Sequence, residues 1–69
     1  MKPIWQVLTE QGAHFDTENR ENGEIAYKIK IHYTDFYEDV PVNSRWEYTG
    51  TTIIADKSGK IIRFENKEN

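Results

Sequence analysis

The sequence predicts a mainly β fold, a small antiparallel meander of about four strands curled into a half-barrel. Two observations carry this reading. The apolar composition is lopsided, with eight Ile, three Val and six Thr against one Leu and three Ala. Branched side chains fit a pleated surface and lose rotamer freedom in helices, whereas a helical chain of this size is normally rich in Leu and Ala. The second observation is strict alternation over residues 24–34. Ile25, Tyr27, Ile29, Ile31 and Tyr33 interleave with Ala26, Lys28, Lys30, His32 and Thr34, the period-2 pattern of a strand with one apolar and one polar face. An α+β alternative, a short N-terminal helix packed on a three-stranded antiparallel sheet, turns on the first dozen residues.

Those residues read two ways. Trp5, Val7 and Thr9 alternate as a strand, with Gly12 as a bulge, and no Ser, Thr, Asp or Asn precedes Pro3 as a helix cap. This strand is the primary reading. In the alternative, Pro3 opens a helix, Ile4, Trp5 and Leu8 share its face, and Gly12 stands just past its end. Next, Asn22-Gly23 in the polar stretch 17–23 signals a hairpin joining residues 13–16 to the strand at Glu24. That strand, solvated on one face, belongs in an antiparallel sheet. Residues 35–41 form a connection, and Pro41, which lacks an amide donor, marks a strand start, an edge or a loop.

A further strand spans residues 42–56. Val42, Ser44, Trp46, Tyr48, Gly50, Thr52 and Ile54 lie on one face, taken as the apolar one; Asn43, Arg45, Glu47, Thr49 and Thr51 lie on the other, followed by Ile53 and Ala55. Gly50 marks a bulge or bend. Asp56-Lys57-Ser58-Gly59 is a turn, because Asp bonds its own backbone and Gly supplies positive φ. The last strand covers residues 60–64, and residues 65–69 form a polar, frayed tail. The stretch from Ile53 to Ile62, I-I-A-D-K-S-G-K-I-I, resembles the last hairpin of PepSY-type domains. A helical N-terminus would make the order of elements similar too. The resemblance covers those residues alone and implies no function for this chain.

Sixty-nine residues allow one domain, which buries only about 60 % of its unfolded surface. There is no cysteine, so neither a disulfide nor a thiolate metal site is available. No apolar run reaches signal-peptide length or the roughly 20 residues of a membrane span, and a cytoplasmic protein with no membrane association is expected. The net charge of −3, with both signs mixed along the chain, is too mild for a DNA mimic and too acidic for a general nucleic-acid binder.

The foremost candidate site is the connection containing Asp35, Phe36, Tyr37, Glu38 and Asp39. Adjacent aromatics ringed by carboxylates resemble a protein-binding hot spot suited to a basic partner. In the competing reading, Phe36 or Tyr37 plugs the open end of a small core. A second candidate is a basic strand face of Lys28, Lys30 and His32, joined by Arg45, of the kind that binds single-stranded nucleic acid. Two features oppose it. Tyr27, Tyr33, Trp46 and Tyr48 fall on the apolar face rather than among the lysines, and Glu47 intrudes among the cations. His14, Asp16 and Glu18 share a strand face and, with His32, are ligand types for a divalent ion, although a solvated polar face is the expected reading. Residues 16–23 fail as a calcium loop, since aligning Gly23 with the loop glycine puts Arg20 and Ile29 at ligand positions.

Catalysis finds no constellation. Neither Ser44 nor Ser58 lies in a nucleophile elbow, no glycine-rich phosphate loop is present, and nothing would desolvate the Glu38-Asp39 pair. The expectation is therefore a small non-enzymatic binding or regulatory module acting through protein contacts, with no cofactor, metal or catalytic residue. Two alternatives stand beside it. One is a small barrel binding single-stranded nucleic acid. The other is a homo-oligomer, because a meander has two free edges, of which the last strand is only partly protected by Lys60 and Arg63.

Overall fold

The first segment is a helix, and its two ends explain why. In the computed structural model, which describes residues 1–66, α1 spans Ile4–Glu10 after an extended Pro3. The strand reading of residues 5–9 is thereby corrected. No side chain caps the helix; instead the Ile4 amide donates to the Gly59 carbonyl at 2.9 Å. At the other end Gly12 adopts φ 75°, its amide bonding the Thr9 carbonyl and the Ala13 amide the Leu8 carbonyl. That bond pair is the Schellman closure, which needs a left-handed residue where Gly12 stands. Ile4, Val7 and Leu8, spaced as one helical stripe, pack on the sheet, whereas Trp5 remains exposed.

Four strands follow: β1 His14–Asn19, β2 Ile25–Tyr37, β3 Val40–Ala55 and β4 Ile61–Asn66. They form one antiparallel sheet in the order β1-β2-β3-β4. The fold is mainly β, as the primary reading holds, with the helix of the alternative laid on four strands rather than three. The sheet is open, not closed into a barrel, and β1 and β4 are its edges. The first hairpin turns through a 3₁₀ segment, Glu21–Gly23, with Asn22 at φ 63°. Glu65 and Asn66, expected to fray, belong to β4 and pair with Thr52 and Thr51 of β3; residues 67–69 lie outside the described residues.

The core forms where α1 crosses the sheet. Ile4, Tyr27, Ile53 and Ala55 are buried there, with Val7, Leu8, Phe15, Ile25 and Ile29 against them. Phe15 and Tyr27 meet edge to face at 5.5 Å. Ala26 and Ile54, which pair with one another, are also fully buried but lie on the opposite face. Their row continues to Glu18 on one side and Arg63 on the other. A chain of ion pairs crosses this face: Lys28–Glu18–Arg20–Glu65–Arg63–Glu24, with separations of 2.7–3.4 Å. Long charged side chains cover apolar surface with their stems, which accounts for an Ile53-Ile54-Ala55 run that is apolar on both faces.

The strands are unequal in length. β1 reaches only to the pair His14–Lys30, and β4 only to Thr51–Asn66. Beyond these, residues 31–37 and 40–47 continue alone as a two-stranded arm, from Ile31–Glu47 to Tyr37–Val40. The expected connection 35–41 is thus mostly strand. Its turn is only Glu38-Asp39, both left-handed at φ 49° and 65°, the geometry of a two-residue hairpin loop. Two bulges bend the pairing, one opposite Ile29 near Gly50 and one at Val42. The radius of gyration is 14.7 Å, against about 11 Å for a compact chain of this length.

Candidate functional site: the projecting arm and the open sheet face

The arm carries apolar side chains with no layer to cover them. Ile31, Tyr33, Val40, Val42 and Trp46 are exposed, as are Phe36 at 65 % and Tyr37 at 69 %. Phe36 and Tyr37 therefore do not plug the core, which lies at the far end of the same strands. They flank the turn, paired across it with Pro41 and Val40. The structure brings Phe36, Tyr37, Glu38 and Asp39 together at the tip. Asp35 sits just behind, where it accepts from Arg45 at 2.6 Å. Arg45 also donates to Glu47 at 2.7 Å and lies 5.4 Å from the Tyr33 ring centre. Glu47 first, and then Asp35, hold the Arg45 guanidinium above its ordinary pKa.

The exposed surface measures this extension. The chain exposes 5433 Å², whereas a compact monomer of its mass exposes about 4,500 Å².

The second candidate site lies on the face away from α1. Lys28, Lys30 and His32 share that face with Thr52, Tyr48 and Trp46, their partners in β3. This corrects the sequence reading, which set Trp46 and Tyr48 with the apolar face, and it also removes Glu47 from among the lysines. The helix covers Ile53 and Ala55, so the even-numbered residues of β3 from Ile54 back to Trp46 lie on the face away from it. Arg45 is likewise not part of the basic set, because it pairs with Tyr33 on the opposite face. His14 and His32 each lie 4.9 Å from Trp46, and the Lys30 ammonium stands 5.0 Å from its ring centre.

Both lysines of this face are already matched. Lys28 bonds Glu18 at 2.9 Å and Lys30 bonds Asp16 at 2.7 Å, while the Tyr48 hydroxyl also donates to Asp16. The Lys30 and Tyr48 hydrogen bonds hold the Asp16 carboxyl below the usual carboxylate range. Asp16 in turn pushes the Tyr48 hydroxyl up, and Glu18 raises Lys28. The face presents aromatic rings among neutralised charges. His14, Asp16 and Glu18 do share it, but among the described residues no three His, Asp or Glu side chains converge as a metal site.

Sequence reasoning missed the exposure of Val40 and Val42 and the separate projection of the arm. The signal that could have found them is strand length, since two long alternating strands cannot both be covered by neighbours as short as β1 and β4. No helix among the described residues is long and apolar enough to cross a membrane. Comparison with protein-family models, curated proteins and solved structures finds no match to the chain.

Proposed function

We propose that this chain is a small non-enzymatic binding module that engages a protein partner through the β2–β3 arm. One observation carries the reading: Phe36, Tyr37, Val40 and Val42 are exposed together on an arm that no other strand flanks. A lone two-stranded hairpin is marginal in water, and clustered apolar side chains at its end gain from being covered by a partner. Phe36 and Tyr37 supply the aromatic anchors, and Glu38 and Asp39 beside them favour a basic rim on that partner. The cytoplasmic setting expected from the sequence goes with this reading. The test places a photoreactive residue at position 40 and captures the partner in host lysate. A stoichiometric protein is expected, lost with Phe36→Ala/Tyr37→Ala while circular dichroism is unchanged. Capture indifferent to that double substitution would contradict the proposal.

A second reading has a specific observation in its favour. Trp46 and Tyr48 share a face with Lys28, Lys30 and His32, the combination on which single strands stack. It ranks below the first because Asp16 and Glu18 neutralise both lysines. Quenching of Trp46 fluorescence by an oligothymidylate, weakening steeply with added salt and absent in Trp46→Phe, would promote it.

A further inference from the structure

We infer that two copies of the chain pair edge to edge through β4, antiparallel, extending the four-stranded sheet to eight strands about a two-fold axis perpendicular to it. The two free edges differ in a way that singles out β4. β1 carries Asp16 and Glu18, each drawn inward to a lysine, and both its rings are engaged, Phe15 on the core and His14 against Trp46. Charged side chains of this kind blunt an edge. β4 also carries paired charges, Arg63 and Glu65, and is bulged at Ile62, but it exposes Ile61, Ile62 and Phe64 as well. Phe64 pairs with buried Ile53 on the helix-bearing face, yet it is 61 % exposed because α1 covers Ile53 and stops short of it.

The occupant is a second copy because β4 is complementary to itself. In an antiparallel pair centred on Phe64, that ring meets its symmetry mate, Arg63 stands opposite the partner's Glu65, and Glu65 stands opposite the partner's Arg63. Within one chain Arg63 already bonds Glu24 at 3.0–3.1 Å and Glu65 accepts from Arg20 at 2.7 Å, so across the seam the opposed unlike charges join two paired networks as favourable cross-strand neighbours and meet no like charge. Centring on a residue keeps both helices on one side of the extended sheet. Pairing β4 with itself also closes after two copies, whereas pairing β4 with β1 of a neighbour would run on without end.

The chain has no cysteine, so a single introduced one reports the register cleanly. Phe64→Cys is expected to form a disulfide-linked dimer under mild oxidation far faster than Ser58→Cys in the neighbouring turn. Native mass should show a dimer of the unmodified chain. Phe64→Lys should raise its dissociation constant by roughly tenfold or more, about 1.4 kcal/mol, with the circular dichroism of the folded monomer retained. A monomer at the highest attainable concentration overturns the inference. So does a dimer that survives Phe64→Lys, or one lost instead with Phe36→Ala/Tyr37→Ala.

Discussion

Gly59 holds the helix to the sheet. Its carbonyl caps α1, its φ is +89°, and a Cβ there would stand 2.7 Å from both Pro3 Cα and Trp5 Cζ3. Gly59→Ala combines backbone strain with a clash against backbone, and is expected to cost about 1–3 kcal/mol. Urea denaturation measures it, and an unshifted midpoint would show that the Pro3–Gly59 contact is not needed. Asp56 organises the same turn, its Oδ1 accepting from the Ser58 amide and hydroxyl and from the Lys60 amide. The Ser58 side chain and then the Lys60 amide hold its carboxyl below the usual range. Arg20 does the same for Glu65, and Lys28 for Glu18. A carboxyl whose pKa is depressed on folding binds a proton more readily in the unfolded chain. The stability it contributes is present above the ordinary carboxylate pKa of about 4 and disappears as pH falls through the depressed folded values. Urea midpoints should therefore drop below about pH 5, and Asp56→Asn should flatten that drop.

Among the elements, body and arm answer differently to substitution. Ile54 is fully buried between the sheet and the ion pairs crossing it, so Ile54→Ala is expected to cost about 2–5 kcal/mol, enough to unfold much of so small a domain. Phe36→Ala/Tyr37→Ala removes more apolar surface but touches no core, and should cost less than about 1 kcal/mol. A comparable loss from both would mean that the arm is packed after all. The same division marks what the sequence disclosed. The alternation of β2 and the turn at Asp56–Gly59 were legible because their causes are local, a repeat of two and an Asp-to-backbone geometry. The helix was not, because its cap is the Gly59 carbonyl and not a neighbouring side chain. The face of β3 was ambiguous for another reason. Ile53 and Ile54 are both buried, on opposite sides, so hydrophobicity alone does not say which of them meets the helix. That choice decided whether Trp46 and Tyr48 joined the lysines.

At the scale of the whole molecule, a short chain has put length into reach rather than into core. Its extents are 48 × 28 × 16 Å, and two of its exposed apolar groupings are the arm tip and the β4 edge. These stand on different elements, so a dimer through β4 leaves both arms free and presents two tips at once. Linked binding events of that kind raise apparent affinity for a partner that is itself repeated. Phe64→Lys should therefore weaken capture of such a partner without altering any contact at the tip, and equal capture by monomer and dimer would separate the two surfaces functionally.

Amide hydrogen exchange, recorded on the free chain and on its captured complex, tests the central claim most directly. Arm amides should exchange faster than those of β2 and β3 beneath α1 in the free chain, and partner binding should slow exchange chiefly at the arm tip, over residues 35–42. Protection centred instead on residues 14–30, with residues 36–42 unchanged, would contradict the arm as the binding surface and return attention to the face around Trp46.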